Sequence, residues 1–555
     1  MIEPLWEITL GDLLDQVAEK YPDHDGVLYT DRPYRKTYSE FRDDCNEVAK
    51  GLLAMGIKKG DHVAIWATNY PQWLLVMFAT AKIGAVMVTV NTNYKVFELE
   101  YLLKQSDSMT LVLIDGFKDS NYVEILNKLH PQLAAEKPGE SNFPNLPCLK
   151  NVIYVGDNTP AGMFNWNDLY DMAKDISDED LATIQSSLDI HDVVNMQYTS
   201  GTTGFPKGVM LTHHNIVNNG KSIGDCMKFT EKDKLCIPVP FFHCFGMVLS
   251  IMASVTHATT MVPINYYQPL VVMKAIQNEK CTAVHGVPTM FIAILEHPQF
   301  KEFDFSSLRT GIMAGSPCPV KVMQQTMEQM HMPDITIVFG LTESSPGCCQ
   351  TRTEDSVELK VSTIGRPLPH IEVKITDPET GVDLPPNTPG EIMIRGYNIM
   401  KGYYKMPEAT ARAIEPDGWL HSGDIGVKCD NGYFMVTGRI KDMIIRGGEN
   451  IYPKEIEDFI YTHPGVRDVQ IIGVPSKEYG EEIMAYIIPR EGVDLTADDI
   501  KNYVRANMAR HKVPRYVSFI DALPMTASGK IQKFKLREMA IEELQLQDTD
   551  STETA

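Results

Sequence analysis

The sequence predicts an α/β fold: a large N-terminal domain of parallel α/β layers plus a β-rich subdomain, then a small α+β domain. Three observations predict it. Short, continuously apolar runs alternate with helical patterns through most of the chain, the rhythm of buried parallel strands joined by helices. Strand-like runs broken by Gly, Pro and Asp turns follow one another from about residue 371 to 436. After Arg439 the rhythm changes to helix, two strands, helix and strand within about 115 residues, a length that can fold alone.

The elements follow in order. Leu10, Leu13, Leu14 and Val17 give the N-terminus the spacing of an amphipathic helix. HVAIW at 62–66 reads as a strand, 73–81 as a helix, VMVTV at 86–90 as a strand, 96–105 as an amphipathic helix and TLVLI at 110–114 as a strand. Residues 131–147, bounded by prolines, read as a loop insertion. The pattern returns with a strand at 282–286, a helix at 288–295 opening on Pro288, and one strand over 335–339. The β-rich subdomain covers about 365–438. In the last part, helices are expected at 454–462 and 498–507, and strands at 469–474, 483–488 and 517–520. The charged connector RIKD at 439–442 divides the chain into domains 1–438 and 443–555, and the polar, acidic 546–555 is expected to be disordered. No internal repeat is visible.

At 555 residues the chain exceeds what one hydrophobic core supports, so at least two domains are expected. A net charge of −22 argues against nucleic acid as a partner, because phosphate backbones demand clustered Lys and Arg. The 10 cysteines include no C-x-x-C pair, and the adjacent Cys348 and Cys349 cannot form an ordinary bridge. Reduced thiols, a cytoplasmic location and no zinc are expected. The N-terminus carries acidic residues where a secretory signal has basic ones. The richest apolar stretch, 247–255, is shorter than the roughly 18 residues of a membrane span, so a soluble protein without integral membrane association is expected.

YTSGTTGFPKGV at 198–209 puts hydroxyls, glycines and a lysine in one short segment after an apolar run. Glycine lets backbone N–H groups approach an anion, hydroxyls donate to phosphate oxygens, and Lys207 adds a point charge. The segment is not a Walker loop, because Gly208 stands where that motif carries its metal-binding hydroxyl.

Further segments stand in order downstream: PFFHCFGM at 240–247, FGLTE at 339–343, WLHSGD at 419–424, GRIKDMIIRGGEN at 438–450 and PMTASGK at 524–530. Together with the phosphate loop they resemble the signature segments of the adenylate-forming (AMP-binding) superfamily, which includes acyl-CoA synthetases, aryl-acid CoA ligases, adenylation domains and luciferases. The resemblance implies an enzyme that joins a small-molecule carboxylic acid to AMP and then passes the acyl group on, with ATP, Mg²⁺ and coenzyme A as cofactors.

The resemblance also implies roles residue by residue. Thr199, Ser200, Gly201, Thr202, Thr203, Gly204 and Lys207 would wrap the β and γ phosphates. Glu343, after Thr342, would hold Mg²⁺ through oxygen ligation. Lys530 would lie between the acyl carboxylate and the α-phosphate. Phe339 would stack on adenine, where the family usually has tyrosine, and Gly315, Gly340 and Leu341 would line the nucleotide. Asp424 would accept both ribose hydroxyls, with Arg439 as a second contact. His243 would stand at the wall and gate of the acyl pocket, whose apolar flank includes Phe242, Met247 and Met313 and offers no cation for a second carboxylate.

No aspartate of the amino-acid adenylation kind is found, and Ile445 stands where luciferase-like relatives carry lysine. Gly447, Gly448 and Glu449 resemble the loop lining the pantetheine tunnel of CoA ligases, and Lys441 matches the residue about which the small, mobile C-terminal domain of such ligases swivels. The stretches 443–453 and 528–537 look most like medium-chain fatty acyl-CoA synthetases. A medium-chain fatty acid is therefore the expected substrate, with an aryl or cyclic acid as alternative and a non-catalytic acyl-binding relative further behind. A homodimer is left open.

Overall fold

Continuously apolar runs can be strands only inside a layered structure, and the first part of the chain builds two such layers. The structure is a computed structural model that describes residues 3–199, 205–316, 318–446, 449–476, 479–526 and 531–546, and of Glu449 and Asn450 the backbone alone. It has two compact units, Met1–Val373 with Ile394–Leu420, and Lys374–Met393 with His421–Ala555.

In the first unit, Asp334–Thr336, Thr310–Met313, Ala283–Gly286, Lys234–Ile237, Thr260–Pro263 and Asp25–Leu28 lie side by side and parallel, and Arg35–Thr37 closes the edge antiparallel. A second sheet runs Phe164–Asn165, Asn151–Tyr154, Thr110–Leu113, His62–Trp66, Val86–Thr89 and Val193–Thr199, again parallel. Two antiparallel strands, Lys207–Thr212 and Gly402–Tyr403, extend it at the Val193–Thr199 side. The helix Pro71–Ile83 is buried all round apart from the half-buried Gln72, as its mostly apolar sequence requires, and its buried Lys82 is paired with Asp15 at 2.5 Å. Pro71, Pro269 and Pro288 each open a helix, where a missing N–H costs nothing. Among the described residues no helix is long and apolar enough to cross a membrane.

Two elements depart from the sequence reading. The run 335–339 is not one strand: Asp334–Thr336 belongs to the seven-stranded sheet, whereas Val338–Gly340 pairs with Gly347–Gln350. The change of sheet occurs at Ile337, whose N–H donates to the Thr351 hydroxyl at 2.8 Å and whose carbonyl accepts from the Thr351 N–H at 3.0 Å. The β-rich stretch also contains a helix, Pro407–Ala413, which starts on a proline and lies among turn residues that mask its period.

The second unit holds the hairpin of Leu420–Lys428, which enters it at His421, with Phe434–Arg439, and a sheet built on the long antiparallel pair Val466–Ser476 and Gly480–Pro489. Alternate residues of that pair serve two cores. Val469, Ile471, Ile483 and Ala485 pack with Ile456 and Ile460 of helix Pro453–Ile460 and Ile500 and Val504 of Ala497–Asn507. Ile472, Val474, Met484 and Tyr486 pack with Leu536 and Ala540 of Lys533–Glu543. Each fully buried isoleucine stabilises the unit by roughly 1.5–3 kcal/mol.

One buried polar pair matters for pH. Phe245–Met252 is a π-helix whose residues are all buried. Its Ser250 hydroxyl donates to the Phe245 carbonyl at 3.1 Å, so the His285 Nδ1–H donates to Ser250 Oγ at 2.9 Å. Nε2 lies 3.3 Å from Met227 Sδ, and burial lowers the imidazole pKa from 6.5 to about 3. The unfolded chain therefore takes up a proton below about pH 6.5 that the folded chain refuses, and stability falls as pH drops from 6.5 toward 3. Between pH 7.5 and 5 this group is expected to withdraw about 2 kcal/mol. Urea unfolding of His285→Gln at both pH values should show a correspondingly shallower loss than the parent; parallel losses would refute the assignment.

Candidate active site

Val193–Thr199 and Lys207–Thr212 form a hairpin in which Thr199 and Lys207 are opposed residues, so the phosphate-type loop is the connection between two paired strands. Its second strand is anchored from outside. The Tyr101 hydroxyl, on helix Val96–Gln105, donates to the Pro206 carbonyl at 3.0 Å, and Tyr101 stacks on Phe205 at 4.8 Å. One turn on, Gln105 accepts from the Tyr198 hydroxyl and donates to the Tyr404 carbonyl at 2.8 Å. Ser200, Gly201, Thr202, Thr203 and Gly204 lie outside the described residues.

Thr342–Ser344 forms a 3₁₀ turn directly after the strand Val338–Gly340, with Leu341 as its N-cap. A Cβ on Gly340 would sit 1.7 Å from the Pro346 carbonyl oxygen, so only glycine allows the chain to fold back here. Asn398, fully buried, donates to the Ser344 carbonyl at 3.0 Å, and Asn219 exchanges two hydrogen bonds with Gly347. These contacts fix the turn that carries Glu343. Glu343 Oε1 accepts from the Tyr403 hydroxyl at 2.8 Å, and Lys207 Nζ lies over the Tyr403 ring, 4.9 Å from its centre. The ring thus holds a cation on its face and a carboxylate at its hydroxyl. Burial and the neighbouring Glu343 carboxylate both push the Tyr403 pKa up, so the hydroxyl is a donor at neutral pH. Phe339 is half-buried, and its carbonyl accepts from the Cys348 thiol at 3.3 Å.

The segment 240–247 reaches the same turn. Cys244 Sγ lies 3.6 Å from Thr342 Oγ1, and His243 Nδ1 accepts from the Phe245 N–H at 3.1 Å. Gly246 packs so closely that a Cβ would lie 2.3 Å from the Pro240 carbonyl oxygen. Phe242 and His243 are half-buried, while Met247 and Met313 are buried. Gly315 is exposed after strand Thr310–Met313, at a φ of 92°. The first unit therefore brings together Thr199, Lys207, Thr342, Glu343 and the 240–247 segment.

In the second unit Asp424 and Arg439 are opposed residues of the hairpin, and Arg439 Nε donates to Asp424 Oδ1 at 2.9 Å. The turn before Asp424 is gripped by buried Glu391, which accepts from the Gly423 N–H at 3.0 Å and pairs with His421 Nδ1 at 2.9 Å. Lys441 is exposed in the middle of a 3₁₀ turn, Ile440–Asp442. Glu449 begins the strand Glu449–Ile451. Gly447, Gly448 and Lys530 lie outside the described residues.

Tyr403, Asn398, Asn219 and Glu391 escaped the sequence reading. Each acts on a segment far away in the chain, and no spacing pattern announces such a partner.

The profile of the AMP-binding enzyme family matches residues 14–404, more than half the chain. The chain belongs to this family. The profile of the AMP-binding enzyme C-terminal domain matches residues 455–530. The Bacillus subtilis (strain 168) protein YngI, whose name assigns it provisionally to the acyl-CoA synthetases, is 54% identical over 534 residues, covering 96% of this chain and 97% of its own. The mitochondrial medium-chain acyl-CoA ligase ACSF2 of Danio rerio is 41% identical, with 98% of this chain and 90% of the relative covered. Among solved structures, ATP-bound MatB from Rhodopseudomonas palustris superposes with a TM-score of 0.81 at 27% identity, covering 96% and 99% of the two chains. The family's fold is the mixed α/β fold expected from the sequence.

The Asn398 clamp yields a test. Asn398→Ala leaves the buried Ser344 carbonyl without a partner, a loss of about 1–3 kcal/mol. Denaturant unfolding should register that loss, and nucleotide affinity should fall with it because the Glu343 turn loosens. Unchanged stability and affinity would show that Asn219 alone holds the turn.

Proposed function

We propose that the acid activated by this enzyme is a medium-chain fatty acid, that Glu343 holds Mg²⁺ and that Lys530 serves the first half-reaction. The reaction class, ATP-dependent and AMP-forming ligation of an acid to coenzyme A, rests on the family and on acyl-CoA synthetase relatives that run the length of the chain. The observation that carries the residue assignment is the convergence on one turn: Lys207 and Glu343 share Tyr403, and Cys244 of the apolar segment touches Thr342.

In the first half-reaction the acid's carboxylate oxygen attacks the α-phosphorus of ATP, pyrophosphate leaves, and an acyl-adenylate remains. Lys207 and the loop hydroxyls meet the phosphates, and Lys530 meets the charge that builds between carboxylate and α-phosphate. Glu343 offers Oε2 without a protein partner among the described residues, which suits an ion that usually takes one or two carboxylates besides phosphates and water. That ion would neutralise phosphate charge. Asp424, set by Arg439, is assigned to the ribose hydroxyls and Phe339 to adenine. In the second half-reaction the CoA thiolate displaces AMP from the acyl carbon, with Gly447, Gly448 and Glu449 assigned to the pantetheine passage. A cytoplasmic location fits this substrate set.

The apolar Phe242, Met247 and Met313 favour a linear chain. Each added methylene should contribute up to about 0.8 kcal/mol until the acyl pocket is full, so kcat/KM should climb with chain length and then fall. Pyrophosphate release measured over straight-chain and aryl acids checks this, and a tenfold preference for benzoate-type acids would replace the fatty-acid reading.

The half-reactions separate two further roles. Lys530→Ala should lose about 10²- to 10³-fold in adenylate formation while still converting supplied acyl-adenylate and CoA to thioester. Lys441→Pro should do the reverse, because proline fixes φ at the residue assigned as hinge of the C-terminal domain. Equal losses in both steps would make Lys530 structural, and an intact thioester step in Lys441→Pro would move the hinge elsewhere.

A further inference from the structure

We propose that Tyr403 is a positioning residue of this reaction, presetting both the phosphate lysine and the metal carboxylate from one side chain; the inference rests on the roles just given to Lys207 and Glu343.

The backbone explains how one residue reaches both. Tyr403 lies opposite Val209 in the antiparallel pair of Gly402–Tyr403 with Lys207–Thr212, so Lys207, two residues before Val209, is its diagonal neighbour on the same face. The pairing is fastened on both sides, Lys401 N–H to the Met210 carbonyl at 2.9 Å and Tyr404 N–H to the Gly208 carbonyl at 2.8 Å. Three residues earlier, the Met400 N–H donates to the Glu343 carbonyl at 2.9 Å. One five-residue stretch, 400–404, is therefore tied to the main chain of Glu343 and to that of Gly208 and Met210 in the strand that Lys207 opens, and Tyr403 is tied to both charged side chains. Its own N–H is held by Thr410 Oγ1 at 2.9 Å, and the residue is 8% exposed. Tyr404, pointing to the other face, donates to Asp107 at 2.9 Å and takes no part.

The chemistry of the two contacts differs. The ring face attracts the ammonium without consuming any of its three N–H donors, so they stay available for phosphate oxygens. The hydroxyl occupies Oε1 of Glu343 and leaves the carboxylate oriented with Oε2 presented. Carboxylates that ligate metals are commonly held this way, and losing the supporting bond typically costs about 10- to 100-fold in metal affinity. Among the described residues Lys207 and Glu343 form no ion pair with each other, so neither neutralises the other.

Two substitutions separate the contacts. Tyr403→Phe keeps the ring and removes the hydroxyl, whereas Tyr403→Leu removes both. Calorimetric titration with ATP, with and without Mg²⁺, reads each contact without turnover. For Tyr403→Phe we expect metal-free ATP affinity within about twofold of the parent and an Mg²⁺-dependent gain reduced about tenfold. For Tyr403→Leu we expect the same loss of the metal gain and a further fall of about threefold in metal-free affinity. In a Glu343→Gln background, Tyr403→Phe should change the metal gain no further. The proposal is overturned if Tyr403→Phe keeps the full metal gain, or if Phe and Leu lower metal-free affinity alike, the pattern of a merely structural residue. A parent protein that binds no ATP under either condition would instead overturn the reading on which the proposal rests.

Discussion

The antiparallel pairing of Val193–Thr199 with Lys207–Thr212 is the constraint on which the rest of the site depends. A parallel strand of this sheet would have to leave at its C-terminal end and return through a helix. The hairpin instead brings the chain straight back, with Thr199 and Lys207 as its last opposed residues. The connection between them is thereby short, polar and pinned at both ends. The returning strand then offers its far edge to Gly402–Tyr403, and through that edge the loop becomes coupled to the turn bearing Glu343.

Burial of polar groups, rather than charge pairing, keeps this region in shape. Asn398, Asn219 and Ser345 are all buried and bond to main-chain carbonyls around the Glu343 turn. A buried amide that satisfies a carbonyl has one good geometry and many poor ones, so such contacts specify a conformation more sharply than surface ion pairs do. The ionisable groups assigned to ligands in the first unit, Lys207 and Glu343, engage uncharged Tyr403. In the second unit Asp424 is held by Arg439, a pair set by strand register and half open to solvent on the arginine side.

Much of this was legible in the sequence, for identifiable reasons. Strands such as His62–Trp66 and Thr110–Leu113 are buried on both faces and read as unbroken apolar runs, and the helices between them keep their period. The signature segments are contiguous, so family and chemistry could be read from them. What was hidden is what long-range pairing creates. The break at Ile337 depends on Thr351, the helix Pro407–Ala413 lacks an apolar stripe, and Tyr403 looks like any aromatic before a turn until its strand is docked on Lys207–Thr212. Each of these needed a partner that sequence order does not name.

The late arrival of Gly402–Tyr403 in the chain has a consequence for biosynthesis. Until those residues leave the ribosome, the strand Lys207–Thr212 is the border of its sheet, its outward N–H and C=O groups unpaired and open to a neighbouring nascent chain. A polypeptide stopped short of Gly402 would carry every residue of the phosphate loop and yet expose a sticky border in place of a finished one. Capping that border, and the supply of the aromatic that bridges Lys207 and Glu343, fall to the same two-residue strand, so one docking event both finishes the sheet and sets the two charged side chains about a single ring.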